Sequence, residues 1–267
     1  MVPTMADNPA VPVAAEAIAA DCARCRKAGG AIFHIHARNP DETPTYRSDV
    51  YREIISQVKE KCPDAIICVS TSGRTHKELA QRGEVLDLDG DVKPEMASLT
   101  LGSMNFPRQA SVNEPAMIKG LADMMNERGI LPELEVFEFG MIDYAKYLIE
   151  RRVLREPFYF NLLLGSLGTV GATPFNLASM VASLPAGSTW AGAGIGRFQF
   201  TVNSLAVTMG GNVRTGLEDN LFMDAAKQRP ATNPGLVERI ARLAVAAERR
   251  IATPAEAREM IGLPPRS

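Results

Sequence analysis

The sequence predicts an α/β protein: one domain over residues 1–267, a parallel sheet closed into a (β/α)8 TIM barrel that lacks its first β-strand. Three observations carry this. A chain of 267 residues that is 46% hydrophobic fills one barrel-sized core. Apolar runs of strand length alternate with amphipathic runs of helix length, with no linker or low-complexity segment between them. The count then falls one short: strands begin near residues 31, 65, 96, 134, 158, 188 and 212, whereas a barrel takes eight. The first recognisable element is a helix, and residues 1–11, with two prolines and little apolar alternation, supply no strand before it.

From Pro12 to Ala28 the spacing is helical, with Ile18, Cys22, Cys25 and Ala28 as its apolar stripe and Gly29-Gly30 ending it. The strand Ala31–Arg38 follows, then a polar loop, Asn39–Pro44, and a helix over Ser48–Lys61 whose inner face is Tyr51, Ile54, Ile55 and Val58. Next come the strand Ala65–Ser70, a charged helical segment over Lys77–Leu86, and the strand Met96–Thr100, which empties into Leu101–Phe106. A helix over Glu114–Arg128 leads to the strand Leu134–Phe139, and a helix over Met141–Arg152 to the strand Phe158–Leu163. A Gly-rich loop (165–169), the helix Pro174–Ser183 and the strand Ser188–Ala193 follow. A helix carrying Phe198, Val202, Leu205 and Ala206 precedes the last strand, Asn212–Gly216. Two helices finish the chain, the final one opening with the capping box Thr253-Pro254-Ala255-Glu256.

Composition narrows the function. Twenty-nine basic against 31 acidic residues give a net charge of -2, and no basic block offers a nucleic-acid or membrane-surface patch. No apolar run reaches transmembrane length and the N-terminus has no signal-peptide pattern, so a soluble, cytoplasmic protein is expected. The cysteines, Cys22, Cys25, Cys62 and Cys68, do not make a disulfide scaffold and read as reduced, partly buried thiols.

Two of the three histidines, His34 and His36, stand two apart in the first visible strand and therefore share a face. Two imidazoles so placed chelate a divalent metal, or form a hydrogen-bonded core pair; the spacing alone leaves both open. In a barrel, functional residues lie at the C-terminal ends of the strands. The candidates there are His34 and His36, Ser72 and Gly73, Ser103 and Asn105, Glu135 and Glu138, then Arg214, Glu218 and Asp219. Each has a plainer alternative: Ser72-Gly73 as a turn, Asn105 as a helix cap, Glu218-Asp219-Asn220 as a helix start, Glu135 as an ion-pair partner. His76 sits in a polar segment and reads as exposed.

Three motifs occur in order: Ala28-Gly29-Gly30-Ala31-Ile32-Phe33-His34-Ile35-His36-Ala37-Arg38, Leu101-Gly102-Ser103-Met104-Asn105-Phe106, and Arg214-Thr215-Gly216-Leu217-Glu218-Asp219-Asn220. With them the chain resembles the β-keto acid cleavage enzymes, known best for 3-keto-5-aminohexanoate cleavage, from about Asn8 to Leu263. The resemblance implies that His34, His36 and Glu218 hold a divalent metal, zinc or another transition metal. It implies that Ser72, Gly73, Ser103, Asn105 and Glu135 bind the substrate, and that Arg214 and Asp219 form the acid–base group. The implied reaction takes a β-keto acid and acetyl-CoA to acetoacetate and a new acyl-CoA, in a homo-oligomer, a tetramer in many relatives. An arginine acts as a base only where its surroundings oppose its charge, so Arg214 reads equally as an electrostatic clamp.

The chain departs from the family pattern in places. Ser103 replaces the usual Thr, Asn212 stands where many relatives have His, and Val13-Ala14-Ala15-Glu16 replaces Thr-Pro-Glu-Glu. Relatives also open with an apolar strand, the one missing from the count here. Without it two strand edges stand bare, and an N-terminally extended chain is expected to be more soluble and more active. Three other functions compete: a metal-dependent hydrolase, for which later histidines are lacking; a metal-dependent C–C lyase or aldolase that needs no CoA; and an inactive, truncated remnant that binds metal or a partner.

Overall fold

The computed structural model describes residues 3–106 and 109–265. In chain order the elements are α1 (Ala15–Lys27), β1 (Ile32–Ile35), α2 (Ser48–Lys61), β2 (Ile66–Val69), α3 (Leu79–Gly83), β3 (Met96–Thr100), β4 (Met104–Asn105) and β5 (Ala110–Ser111). There follow α4 (Pro115–Arg128), β6 (Leu131–Val136), α5 (Phe139–Glu150), β7 (Tyr159–Leu164) and α6 (Pro174–Ser183). The chain finishes with β8 (Thr189–Gly194), α7 (Gln199–Thr208), β9 (Asn212–Val213), α8 (Asn233–Ala246) and α9 (Pro254–Ile261). Seven strands make one parallel sheet in the order β1-β2-β3-β6-β7-β8-β9, while β4 and β5 form a separate antiparallel hairpin.

Helix starts follow the sequence closely. Thr173, Thr232 and Thr253 cap α6, α8 and α9, each accepting a backbone N–H from three residues on, and each cap is followed by a proline in the first turn. Gly129 ends α4 in the left-handed conformation, at φ 61°. Among the described residues, no helix is long and apolar enough to cross a membrane.

Side-chain alternation divides the sheet. Phe33, Ile35, Ile67, Val69, Leu99, Leu134, Val136 and Phe160 face outward and are buried against the helices, with Ile18, Ile54, Leu121, Ile142 and Leu177 among their partners. The inward positions change character along the strands. At the N-terminal end Ile66, Met96, Leu131 and Tyr159 make an apolar floor that α9 closes with Ala257 and Ile261. Two residues further along stand His34, Cys68, Ser98, Glu133 and Asn161; two further again stand His36, Ser70, Thr100 and Glu135. The interior thus grades from apolar floor to polar mouth.

The sheet curls, and its two edges approach each other: Arg214, just past β9, brings its Nη1 within 3.5 Å of His34 Nδ1 on β1. The edges do not pair. Among the described residues β1 and β9 share no ladder of hydrogen bonds, and a cavity of about 370 Å³ lies between them, lined by Ile32 and His34 on one side and Asn212 and Arg214 on the other. The closed barrel expected from the alternation is therefore seen as a seven-stranded curled sheet.

Some expected boundaries move. The strand expected over Leu134–Phe139 runs over Leu131–Val136, because it starts directly behind the Gly129 cap, and Glu138 leaves it to accept the Gly140 N–H at 2.9 Å as the cap of α5. The last strand stops at Val213, since Asn203 draws the Arg214 carbonyl out of the ladder with a 2.9 Å hydrogen bond. The helix expected over Lys77–Leu86 is one short turn continued by a 3₁₀ turn over Glu84–Asp87.

Candidate active site

The site is built where the first and last strands of the sheet meet. His34 and His36 project inward from β1 and its end, with ring centroids 5.0 Å apart. The loop after β9 brings Arg214, Glu218 and Asp219 to them. That loop is held from below: Asn203 donates to the Arg214 carbonyl, Gln199 donates to the Gly216 carbonyl at 3.0 Å, and Asn233 Oδ1 accepts the Leu217 N–H at 2.7 Å. Leu217 points the other way, into a small apolar cluster with Val11, Ala231 and Leu236. A turn thus anchored by its apolar residue presents the neighbouring acids inward.

Donor atoms of His34, His36 and Glu218 all lie within 4.8 Å of one another, and His36 Nε2 is 2.8 Å from Glu218 Oε1. Burial holds the His36 pKa well below the ordinary histidine value, so its ring is neutral near pH 7. Burial also pushes the Glu218 carboxyl up, but the Arg214 charge and the contact with His36 outweigh this and hold it well below the carboxylate range. Burial pushes the His34 ring's pKa down, but Glu133 beside it outweighs this and raises it above the ordinary histidine value. Two imidazoles, which bind a metal in their neutral form, and an ionised carboxylate are donors that suit a divalent transition metal. His34, Cys68 and Glu133 form a second such group that shares His34 with the first.

Arg214 is the electrostatic hub. Its guanidinium lies 2.9 Å from Glu135, 2.8 Å from Glu218, 3.3 Å from Asp219 and 3.7 Å from Glu133. Burial opposes its charge, yet the four carboxylates, Asp219 foremost, raise its pKa well above the ordinary arginine value. Asp219 moves the other way: burial and Glu218 lift its carboxyl to about 6, against the pull of Arg214.

Glu135 accepts from Arg214 with Oε1 and from the Thr100 hydroxyl, at 2.7 Å, with Oε2. Ser72 lines a recess of about 20 Å³ together with His34, His36, Thr100, Glu135 and Glu218. A larger cavity of about 350 Å³ shares His36, Ser72 and Arg74 with that recess. Gly73 lies under Arg82, where a Cβ would stand 2.6 Å from Nη1 and 2.7 Å from the Val112 carbonyl oxygen. Ser103 and Asn105 are exposed on the β4–β5 side and do not line the recess; the Ser103 hydroxyl accepts the Asn113 N–H at 2.8 Å, and Asn105 pairs with Ala110.

Several site residues escape sequence reasoning. Arg74 faces the recess, 3.9 Å from Glu218 and 4.2 Å above the Phe106 ring. Glu133 and Asn161 sit in the layer beneath Glu135. Strand parity signals Glu133, which stands two residues before Glu135 on the same strand and so on the same face.

A polar, metal-capable cluster at the C-terminal ends of a curled parallel sheet is an enzyme-type site. The pattern of the family described as beta-keto acid cleavage enzyme matches residues 1–263, and the chain belongs to that family. It is 41% identical over 261 residues to the 3-keto-5-aminohexanoate cleavage enzyme of Fusobacterium nucleatum, covering 97% of this chain and 93% of that one. It is 35% identical over 265 residues to the 3-oxoadipate:acetyl-CoA acetyltransferase of Cupriavidus necator, covering 98% and 91%. Among solved structures, the ternary complex of ObcA with a C4-CoA adduct and oxalate superposes with a TM-score of 0.86 at 25% identity, covering 96% of this chain and 68% of ObcA. The apo ObcA structure, with a TM-score of 0.85, is covered over 66% of its length.

Proposed function

We propose that the chain is a metal-dependent β-keto acid cleavage enzyme that converts a β-keto acid and acetyl-CoA to acetoacetate and a new acyl-CoA, with zinc at His34, His36 and Glu218. The observation that carries this is the meeting of those three donors, from opposite edges of the sheet, within 4.8 Å. The named activities of its relatives supply the acyl transfer. The frame we infer is a (β/α)8 barrel of which the described residues show seven strands.

A metal held there supplies a Lewis acid for the β-carbonyl. The remaining work falls to the chain's own side chains. Arg214, locked among four carboxylates, keeps its proton and acts as an electrostatic clamp that stabilises negative charge developing beside it. Asp219, buried against that clamp, is the group placed to hold or release a proton. Arg74 and the Ser72 hydroxyl, at the recess, are placed to bind the substrate carboxylate. Glu135, braced by Thr100, holds the guanidinium from the far side.

The test supplies purified protein with 3-keto-5-aminohexanoate or 3-oxoadipate, with and without acetyl-CoA, and follows new acyl-CoA and acetoacetate by mass spectrometry. Products are expected only with acetyl-CoA; consumption of the keto acid without it would instead identify a CoA-independent lyase. Metal analysis of wild type and His36→Ala runs alongside, and equal metal content in both sinks the ligand assignment.

A further inference from the structure

Glu133 is the one carboxylate of the cluster that the chemistry above leaves without a task beyond neutralising Arg214. Its side chain is only 3% exposed, and both its oxygens are engaged. Oε1 accepts from Asn161 Nδ2 at 2.5 Å. Oε2 lies 2.6 Å from His34 Nδ1, and the Cys68 thiol donates to it at 3.4 Å. Arg214, at 3.7 Å, is the most distant of these neighbours. A buried acid that sits closer to a ring nitrogen than to the nearest cation is aimed at the ring.

An ionised carboxylate only accepts, so the proton in the His34–Glu133 contact belongs to Nδ1. Arg214 Nη1 also approaches Nδ1, at 3.5 Å, but it too is a donor, and the shorter contact sets the tautomer. A histidine binds a metal only as the neutral ring, and with its remaining proton on Nδ1 that ring carries its lone pair on Nε2. Histidines that hold a metal commonly donate their other ring N–H to a carboxylate, which fixes the ring and raises its basicity.

We infer that Glu133, itself held by Asn161, is a positioning residue that locks His34 in the Nδ1–H tautomer and so presents Nε2 as the metal-binding atom. This rests on the assignment of His34, His36 and Glu218 as the metal site. It also decides between the two overlapping donor groups. With Nδ1 and Glu133 engaged with each other, and a guanidinium beside both, the His34–Cys68–Glu133 group serves as a support and does not hold a second ion.

The test is Zn²⁺ affinity, measured on the purified chain by competition with a chromophoric chelator, with the visible spectrum of bound Co²⁺ as a second readout. Glu133→Gln keeps an acceptor for Nδ1–H, and Asn161 Oδ1, which has no hydrogen-bond partner among the described residues, can receive the new amide after a side-chain flip. The metal-free variant is therefore expected to melt near wild type and to bind Zn²⁺ about 10–100-fold more weakly. In a His34→Ala background the same change is expected to have little further effect, because its route to the metal is gone. Cys68→Ser is expected to leave the affinity unchanged.

Wild-type protein that binds no Zn²⁺ would remove the metal assignment and this inference with it. Wild type that binds while Glu133→Gln binds equally well overturns the positioning role alone. An undiminished effect in the His34→Ala background does the same, since it shows Glu133 acting as a general negative charge. Two Zn²⁺ per chain, or a loss on Cys68→Ser as large as on Glu133→Gln, would make Glu133 a ligand of a second metal.

Discussion

Replacing Arg214 with methionine tests the electrostatic core of the site. The guanidinium is buried and lies between 2.8 and 3.7 Å from four carboxylates on two elements. Removing one partner of a buried ion pair costs about 3–5 kcal/mol, because the charges left behind have lost their compensation. A chain of 267 residues has a melting entropy of about 0.56 kcal/mol per kelvin, at about 2.1 cal/mol/K per residue. The melting temperature of chelator-treated Arg214→Met is therefore expected to fall by about 5–9 °C at pH 7, read by circular dichroism. Arg214→Lys, which keeps the charge but reaches fewer oxygens, should fall less. The pH dependence has a definite sign. Glu133, which burial pushes up but His34 and Arg214 bring down to about 2, and Glu218, held well below its ordinary value, both have depressed pKa values. Their stabilisation is present above the ordinary carboxylate range and fades as the pH falls toward 2, so the gap between wild type and variant narrows in acid. A variant that melts at or above wild type at pH 7 would refute the view that this cation holds the site together.

Two further changes probe the frame and the proton-handling group. Gly73→Ala places a methyl 2.6 Å from Arg82 Nη1 and 2.7 Å from the Val112 carbonyl oxygen. Arg82 is fixed by hydrogen bonds to Thr71 and Asn113 and cannot move aside freely, so a loss of about 1–3 kcal/mol is expected in urea titrations. An unchanged midpoint would show that the space is not confined. Asp219→Asn addresses the carboxyl that burial and Glu218 raise to about 6. A raised pKa gives stability that is complete below the unfolded value and is lost as the pH climbs through about 6. In metal-free protein the melting temperature of the variant relative to wild type is therefore expected to rise between pH 4 and pH 7, and a constant difference refutes the shifted carboxyl.

Much of the fold was legible because it depends on local pattern. The strand–helix alternation, the Thr253-Pro254 helix start and the count of seven strands all come from periodicity and capping, which act over a few residues. The two boundaries that moved have different causes. Leu134–Phe139 reads as a strand by composition, but Gly129 behind it and Glu138 capping α5 pull the strand back to Leu131. Val213 is the last strand residue because Asn203, on the preceding helix, takes the Arg214 carbonyl. Caps a few residues away in the chain decided the first boundary, and a contact made through space decided the second.

The same division holds for the site. The sequence by itself determined that His34 and His36 share a face, since alternation along a strand is a property of the backbone. Together with the three motifs it singled out Glu218, Arg214 and Asp219 as the residues to watch. Only the tertiary structure decided that they meet. Residues 34 and 218 lie at opposite edges of the sheet, and its curl brings their donor atoms within 4.8 Å. It alone brought Glu133 up to His34 from the middle of the sheet and left the edges β1 and β9 unjoined. The physical reason is one of range. Propensity and parity act between neighbours in the chain, whereas charge, coordination and the curl of a sheet are settled by residues that only folding makes neighbours.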